Sequence, residues 1–411
     1  MLHSIVRLLC IPALLVSAAS GLGCQIAYQA ADVFNSRQDP NYLQQKEILP
    51  LSSLRITDQP AATQHQGEVL TLQAISSTPP TLLSVGQDGR VIGWDLTSAR
   101  GYEVKDLKAQ PKVVALGEQQ ALIAWADDNG ISITCLQGCT TKKTLTALKA
   151  RPLALAFHDL DTTLLIGSLD GRIYRWRFMD DQDASSTEER ERMIERYIGH
   201  QTMISGVVGH SVGRAFFSSD WDGRLVGWAS YTADDQRGEY DKNLFRGRFY
   251  TDIPAAVIAQ RPADRGISAL AISKDGERIA IGTEDGFVEV WKVKGFLLNS
   301  RKNLHTGRIT SIALSDDGDR VASVGKDSKV RAQLITANPM YSAEPNALPA
   351  LLEDISEHYI PLAHRAAFVS DSKLSVGTKG GEVLEVLLAE PTPKAAKPTP
   401  KSTPKVRDGD Y

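Results

Sequence analysis

Short apolar stretches recur along the chain, and each successive pair is separated by a polar tight-turn sequence. In four places a Trp stands six residues after the Asp of an Asp-Gly dipeptide, within residues 82–96, 164–178, 216–230 and 279–293. Looser copies of the same apolar pattern occupy residues 122–136, 321–335 and 374–388. Alternating apolar residues on both sides of such a turn predict a strand, a tight turn and a second strand in each copy.

The copies are spaced as a repeating unit. Their turn positions are separated by 40, 42, 52, 63, 42 and 53 residues and are Asp88, Asp128, Asp170, Asp222, Asp285, Asp327 and Gly380. A basic unit of about forty residues, with insertions in three connections, accounts for this spacing. Because the repeats run through most of the 411 residues, they replace the two or three domains that this length would otherwise indicate.

The unit resembles the WD40 repeat, whose copies form the blades of a β-propeller. The resemblance is carried by the forty-residue period, the Gly199-His200 pair and the spacing from turn Asp to Trp, and it covers roughly residues 48–390. It implies an all-β fold, a seven-bladed WD40-type β-propeller. The last copy leaves no room for an outer strand before Pro391, so residues 48–56 (ILPLSSLRI) are expected to supply that strand and close the ring.

The segment SSDWDGRLVGW, residues 218–228, follows His200 and thereby gathers the residue types of a hydrolase site. The resemblance implies instead a buried, hydrogen-bonded tetrad of His, strand Ser, turn Asp and Trp. Full sets are His65, Ser84, Asp88 and Trp94 in the first blade and His200, Ser218, Asp222 and Trp228 in the fourth; the sixth has His305, Ser323 and Asp327, with Gln333 in place of Trp. A catalytic triad is needed once, whereas this set recurs with the turn. We therefore interpret it as structural and predict no catalytic residue.

The N-terminus has the pattern of an export signal. Residues 1–23 contain Arg7, an apolar run too short for a comfortable membrane span, and small residues that precede Cys24. The pattern resembles a bacterial lipoprotein signal, with Gly21 where that family prefers Leu, and it implies lipid attachment at Cys24. The alternative is an ordinary signal peptide cut near residues 18–20, which leaves Cys24 unmodified. Either form predicts an exported protein, and the lipid form places it in the bacterial cell envelope, on the periplasmic side or at the cell surface.

Two further cysteines, Cys135 and Cys139, are separated by three residues. Export exposes them to an oxidising compartment, and a short turn brings their Cβ atoms within bonding reach. A disulfide and two partly buried thiols are both compatible with the sequence. No His or further Cys lies near enough to complete a zinc site, so no metal is predicted.

The faces of the ring are where a propeller of this kind carries its function. By resemblance, partners most often meet the face with the Gly-His and Asp turns, at the residue before the turn Asp and at the residue three after the His. The candidate positions are Leu169, Trp221, Met203, Arg151 and Arg308. A Trp beside Met, Leu and Arg is typical of an interaction hot spot. The alternative is that Trp221 packs over a neighbouring turn.

The remaining segments look like insertions and tethers. Residues 179–198 alternate charge signs at a spacing that favours a short exposed helix. Residues 231–266 fit either a binding loop or extra strand that covers the side of the ring. Residues 24–47 form a polar tether, and the Pro- and Lys-rich tail at 391–411 is expected to stay disordered.

Composition adds limits to the function. A net charge of -3 gives no strong electrostatic preference and no indication of nucleic acid binding.

We expect a monomeric ring without a cofactor that serves as a non-catalytic interaction platform for other envelope proteins, held at the membrane by its lipid. The alternatives are a subunit of outer-membrane assembly or envelope maintenance, by analogy of layout, and a quinone-dependent or lactonase-like propeller enzyme. An enzyme of that type needs acids, amides or His converging on the central channel, and the sequence shows no repeated cluster of this kind.

Overall fold

The computed structural model describes residues 64–388, apart from residues 76–80, 98–99, 118–120, 138–141, 147, 149, 179–193, 210–214, 230–251, 254–255, 261–265, 295–296, 342–343 and 345. The expected signal peptide, Cys24, the tether, the closing strand at 48–56 and the tail at 391–411 lie outside the described residues. Within them the regular structure is entirely β, and no helix long and apolar enough to cross a membrane is found.

In this part of the chain, twenty-eight strands form seven sheets, each the blade of one ring. Blade 1 contains β1 (Val69–Ile75), β2 (Thr81–Gly86), β3 (Arg90–Asp95) and β4 (Arg100–Asp106). Blade 2 contains β5 (Val113–Leu116), β6 (Leu122–Asp127), β7 (Gly130–Cys135) and β8 (Lys142–Leu145). Blade 3 contains β9 (Pro152–His158), β10 (Thr163–Ser168), β11 (Arg172–Trp176) and β12 (Ile194–Ile198), and β16 (Asp252–Ile253) joins its outer edge.

Blades 4 to 7 continue in the same order from the centre outward. Blade 4 contains β13 (Ile204–Gly209), β14 (Ala215–Asp220), β15 (Arg224–Ala229) and β17 (Ala256–Gln260). Blade 5 contains β18 (Ile267–Ile272), β19 (Arg278–Thr283), β20 (Phe287–Lys292) and β21 (Leu297–Asn303). Blade 6 contains β22 (Ile309–Leu314), β23 (Arg320–Gly325), β24 (Lys329–Ala337) and β25 (Ala350–Tyr359). Blade 7 contains β26 (Ala363–Ser370), β27 (Lys373–Thr378) and β28 (Val383–Leu387). The predicted seven-bladed all-β propeller is confirmed.

The core is a series of apolar layers between neighbouring blades. Trp125 lies in the layer between blades 1 and 2, and Trp176 lies in the layer between blades 2 and 3. Consecutive residues of one strand face opposite layers: Val321 contributes to the layer between blades 5 and 6, and Ala322 to the next. Because each sheet is covered on both faces, its central strands are apolar at successive positions. Removal of a side chain as large as Trp176 costs about 3–5 kcal/mol by this argument.

The ring is completed where blade 7 meets blade 1. The inner strand β1 packs against β26 and β27. The amide of His65 donates to the Gly381 carbonyl at 3.0 Å, and a Cβ on Gly377 would lie 2.6 Å from Cγ1 of Val69. The first and last blades are thus in direct contact through the described residues.

The innermost strands share a local irregularity at the end where they begin. The register shifts between Val69 and Thr71 in β1, and equivalent shifts occur in the inner strands of blades 3, 4, 5, 6 and 7. A β-bulge of this kind bends the strand and redirects the residues beside it. Six of the seven blades thus have one bulged residue each, at Leu70, Leu153, Ser205, Ser268, Thr310 and His364.

Part of the 179–198 segment differs from the sequence prediction. Residues Ile194–Ile198 form β12 and pair antiparallel with β11, so the predicted helix is wrong for this part. Burial decides the outcome, because Ile194 and Tyr197 enter apolar layers on either side of blade 3. The nearby β16 pairs parallel with β12, so this part of the 231–266 insertion extends the side of the ring.

Candidate functional site

In blade 1 the structure brings the four predicted tetrad side chains together. Trp94 Nε1 donates to Ser84 Oγ at 2.7 Å, His65 Nε2 lies 2.8 Å from the same oxygen, and His65 Nδ1 lies 3.1 Å from Asp88 Oδ1. An indole only donates and a carboxylate only accepts, so the protons run from Trp94 to Ser84 to His65 to Asp88. Asp88 also accepts from the Gln66 and Arg90 amides and thereby fixes the turn.

Ionisation in this tetrad follows from its burial and its partners. Burial lowers the pKa of His65 below its ordinary value, although Asp88 acts in the opposite direction. Burial alone would raise the pKa of Asp88, but the amide donors and Arg90 outweigh it, and that pKa is lowered. The folded protein therefore holds a neutral imidazole beside an ionised carboxylate at neutral pH.

In blade 4 the tetrad assigned to Asp222 is wrong in that one member. His200 Nε2 lies 2.6 Å from Ser218 Oγ, and Trp228 Nε1 donates to that oxygen at 2.7 Å, as expected. His200 Nδ1, however, contacts Asp220 Oδ2 at 2.7 Å. Asp220 Oδ1 also accepts from the Asp222 and Arg224 amides, so Asp220 takes over both functions of the turn carboxylate.

The reason lies two residues before the turn. Blade 1 has Gly86 where blade 4 has Asp220, and a Cβ on Gly86 would lie 2.4 Å from His65 Nδ1. Blade 6 repeats this arrangement: a Cβ on Gly325 would lie 2.3 Å from His305 Nδ1, which contacts Asp327 Oδ1 at 2.9 Å. A glycine at this position leaves room for the turn Asp to reach the imidazole. A larger residue there occupies that room.

The tetrads do not have the accessibility of a hydrolase site. Ser218 is fully buried and His200 is 8% exposed. The serine oxygen accepts the indole proton of Trp228, so the hydroxyl is held inside the blade. The chain of hydrogen bonds has the direction of a catalytic triad, but it lies inside a blade and recurs in blades 1 and 4, with the His, Ser and Asp also present in blade 6. This supports the structural interpretation.

The end of the ring that carries the turns, termed the turn face, has a regular backbone pattern. In six blades the residue before the turn donates its amide to the residue before the inner strand. The pairs are Gln87 and Glu68, Leu169 and Arg151, Trp221 and Met203, Glu284 and Gly266, Lys326 and Arg308, and Lys379 and Leu362. Each bond places the two residues of a pair next to each other on this face. The two kinds of position named from the sequence are therefore one set of neighbouring sites.

The predicted contact residues lie on this face with different exposures. Leu169 is 48% exposed and Met203 is 38% exposed, and Arg151 is also exposed. The turn of blade 3 touches the loop that carries Met203, since a Cβ on Gly171 would lie 2.8 Å from the Thr202 carbonyl oxygen. Leu169 and Met203 therefore belong to adjoining parts of blades 3 and 4.

Trp221 is half-buried, and its ring has a specific partner. The guanidinium of Arg308, from blade 6, lies 4.6 Å from the ring centroid. Arg308 Nε also lies 3.3 Å from Glu284 Oε1 in blade 5. A cation over an indole face is worth roughly 0.5–1 kcal/mol at an exposed site and more where water is excluded. Trp221, Glu284 and Arg308 thus form one contact chain across three blades.

The inner strands of all seven blades enclose a channel of about 290 Å³. Its lining is mostly small or aliphatic, with residues such as Leu70, Ala154, Gly206 and Ala269. Arg365 of β26 is the exception in the same register: blades 1, 3, 4, 5 and 6 place Thr71, Ala154, Gly206, Ala269 and Ser311 after the bulge. Arg365 and its neighbour His364 could not be predicted from the sequence, because blade 7 has no Asp turn or His-Trp pair to align them.

Arg365 bridges three blades at the channel. Its Nε donates to the Leu70 carbonyl at 2.8 Å, and its Nη1 donates to the Thr310 carbonyl at 3.3 Å. These carbonyls belong to bulged residues of blades 1 and 6. Burial lowers the pKa of Arg365, and Arg308 acts in the same direction while Glu68 opposes it.

His364 lies beside this guanidinium. Burial, together with Arg365, Lys379 and Arg308, lowers the pKa of His364 to about 3. Its Nε2 contacts a carboxylate oxygen of Glu68 and lies 2.7 Å from Arg365 Nη1. A neutral ring nitrogen can donate to the first or accept from the second, but it cannot do both. The other ring nitrogen, Nδ1, is buried and has no hydrogen-bond partner among the described residues.

Cys135 is buried and disulfide-bonded. Its expected partner, Cys139, lies outside the described residues. Among residues 64–388, outside their gaps, no three His, Cys, Asp or Glu side chains are grouped so as to hold a metal ion.

Comparison with known proteins agrees with this geometry. The family model described as "WD domain, G-beta repeat" matches residues 259–292 and 299–332. Each match begins in the outer strand of one blade and ends in the next blade, so a repeat in the sequence joins two neighbouring sheets.

Among solved structures, the chain is similar to U3-55K at 17% identity and a TM-score of 0.54, over 78% of this chain and 93% of that one. It is similar to the RRP9 WD40 repeats at 16% identity and a TM-score of 0.56, over 81% and 100%. A chain of the mitotic checkpoint complex matches at 14% identity and a TM-score of 0.55, over 83% and 95%. At these identities the similarity establishes the fold, a WD40-type propeller.

Proposed function

We propose that this protein is a non-catalytic platform that binds other proteins through its turn face. The observation that carries the proposal is the placement of Leu169 and Met203, two exposed apolar side chains, on adjoining parts of blades 3 and 4. Backbone hydrogen bonds of 2.9 and 3.3 Å hold these two positions to Arg151 and Trp221. An apolar centre with an adjacent Arg and Trp on a rigid frame is the composition of an interaction hot spot.

The exposures of the side chains favour Leu169 and Met203 as the centre of the proposed surface. Trp221 is half-buried under Arg308, so its ring orients the Arg308 guanidinium. Leu169 and Met203 are more open to a partner. The contact surface of the proposal is therefore Leu169, Met203 and Arg151 at its centre, with Trp221 and Arg308 at the side toward blade 6.

Crosslinking in the native host, followed by affinity purification and mass spectrometry, tests the platform. A Leu169→Ser, Met203→Ser variant is compared with wild type and with Leu297→Ser, a control that removes a 60% exposed Leu from the outer strand of blade 5. We expect a stoichiometric partner that the double variant loses and the control retains. Recovery of the same partner by the double variant would contradict the site, and absence of any partner would contradict the platform.

The location of the platform is the second part of the proposal. The lipoprotein-like signal supports export and lipid attachment at Cys24, which would hold the ring at a membrane of the bacterial envelope and make envelope proteins its partners. A Cys24→Ser variant, separated by detergent phase partition, tests this. We expect the wild type in the detergent phase and the variant in the aqueous phase; equal partition of the two overturns the lipid anchor.

A further inference from the structure

We propose that the mouth of the channel on the turn face binds a carboxylate, supplied by an Asp or Glu side chain of a partner protein, with Arg365 as its principal ligand. The inference deepens the proposed function, on which it rests, because it names the chemistry that the partner presents.

Arg365 differs from the residues at the same position of the other blades. In the matching register of five other blades the residue is Thr, Ala, Gly or Ser, and each of these lines or adjoins the same channel. A feature required by the propeller recurs from blade to blade, as the tetrads do. The lining of the channel contains one other cation, Lys112, which stands directly before β5 and whose ammonium contacts the Asp128 carboxylate. Arg365 is thus the channel-lining cation without a carboxylate partner among the described residues, and the repeat does not require it.

The guanidinium of Arg365 is only partly paired. Arg365 uses Nε and Nη1 to bind backbone carbonyls and His364, while Nη2 has no hydrogen-bond partner among the described residues. No carboxylate of the described part of the chain lies within 4.0 Å of the guanidinium. Placing a cation away from water is costly unless an anion or sufficient acceptors compensate it. A carboxylate is the natural partner, because its oxygen accepts from the unpaired Nη2 in a charge-assisted hydrogen bond.

The charged residues around the mouth of the channel carry a net positive charge. Arg308, Arg365 and Lys379 are cationic, while His364 is neutral at pH 7 with its pKa of about 3. Among the carboxylates that contact these four residues, Glu284 pairs with Arg308 and Glu68 with His364, which leaves this set with one positive charge in excess. A single carboxylate neutralises that excess. A phosphate group, with a charge of about -1.5 to -2, would overcompensate it.

Arg365 is approached from the turn face of blade 7. Lys379 and Leu362 stand on the turn face at paired positions, and Leu362 is 59% exposed. Leu362 has a φ of +60°, a left-handed conformation that costs a non-glycine residue roughly 1–2 kcal/mol. The turn face therefore presents an apolar side chain and an exposed cation at the blade that carries Arg365. An acidic side chain that enters from this face finds Lys379 at the rim and Arg365 deeper.

The test uses degenerate pentapeptide libraries whose central residue is fixed as Glu, Gln or phosphoserine, incubated with the full-length protein. A charge-assisted hydrogen bond predicts that the Glu library is retained at least about tenfold better than the Gln library, and no worse than the phosphoserine library. Equal retention of Glu and Gln overturns the proposal. Better retention of phosphoserine also overturns it, because the site would then select phosphate.

Variants locate the binding. Arg365→Gln is expected to weaken the best Glu peptide at least about tenfold, and Lys379→Gln roughly threefold, as a rim charge does. Lys326→Gln is the matched control, since Lys326 is an exposed lysine at the same turn position in blade 6. If Arg365→Gln fails to fold, the lysine pair decides the matter: equal effects of the two substitutions contradict the site.

The results of the two experiments distinguish failure of the carboxylate site from failure of the platform. A crosslinked partner that depends on Leu169 and Met203, combined with no preference for Glu peptides, leaves the platform standing and removes the carboxylate site. Absence of both the partner and the preference removes both proposals.

Discussion

At the scale of single residues, the position two before each turn Asp decides which side chain completes the tetrad. Gly86 and Gly325 leave space beside their imidazoles, and the turn carboxylates of Asp88 and Asp327 enter it. Asp220 fills the same space with its own carboxylate. In blades 5 and 7 a threonine stands there, and Thr283 and Thr378 accept the turn amides instead. The turn is thus supported in several chemically different ways.

This rule predicts an unusual order of stability among substitutions of Asp220. Asp220→Ala leaves His200 Nδ1 and the turn amides without an acceptor in a buried site, so we expect a loss of about 2–4 kcal/mol in the free energy of unfolding. Asp220→Gly recreates the glycine of blade 1 two residues before the turn Asp, where the turn Asp reaches the His, and it should cost about 1 kcal/mol less than alanine. Urea unfolding measures both.

Asp222 provides the control for this order. Asp222→Asn alone should change stability little, whereas the Asp220→Gly, Asp222→Asn double variant should lose the advantage of glycine over alanine. If glycine proves as harmful as alanine with Asp222 intact, the proposed exchange of carboxylates is wrong.

At the scale of elements, the edge of blade 7 raises the question of closure. β28 is the outermost described strand of this blade, while the other six sheets have at least four strands. Leu384 and Leu387 on β28 are 39% and 67% exposed among the described residues. An apolar strand with an open edge tends to pair with another strand. Residues 48–56 remain the predicted fourth strand.

Hydrogen exchange of the β28 amides tests that prediction. In the full chain we expect the outward amides of residues 383–387 to be protected, and a Leu51→Pro, Leu54→Pro variant should lose this protection because proline removes strand donors. The amides of β21 in blade 5 serve as the internal reference. Fast exchange of β28 in the wild type would show that the edge is not covered.

At the scale of the whole molecule, stability should depend on pH in a defined direction. The pKa values of His65, His305 and His364 are lowered in the folded state, chiefly by burial. Below pH 6.5 these histidines therefore bind protons in the unfolded chain but not in the folded chain. This contribution to stability is present above pH 6.5 and is lost as the pH falls, down to about pH 3 for His364. The lowered pKa values of Asp88 and Asp327 extend the loss below pH 4.

Urea unfolding between pH 7.5 and pH 4 measures this dependence. We expect the free energy of unfolding to fall toward acid, and a His364→Gln variant to show a shallower slope. An unchanged slope in His364→Gln would show that this histidine does not titrate as its surroundings imply.

The sequence by itself determined the repeat, the seven blades and the recurring tetrad composition, because alternation, turn residues and spacing are local properties that each blade displays. It also indicated the turn face, because paired positions there follow directly from the turn and the His. It failed for residues 194–198, where burial of Ile194 and Tyr197 between blades outweighed a helical charge pattern.

Only the tertiary structure decided how residues of different blades meet. The replacement of Asp222 by Asp220 depends on the room beside an imidazole that comes from another loop. The stacking of Arg308 on Trp221 spans from blade 6 to blade 4, and Arg365 reaches carbonyls of blades 1 and 6. These contacts are set by closure of the ring around its channel. A repeat read along the chain carries the blade's internal order but not the distances across the centre.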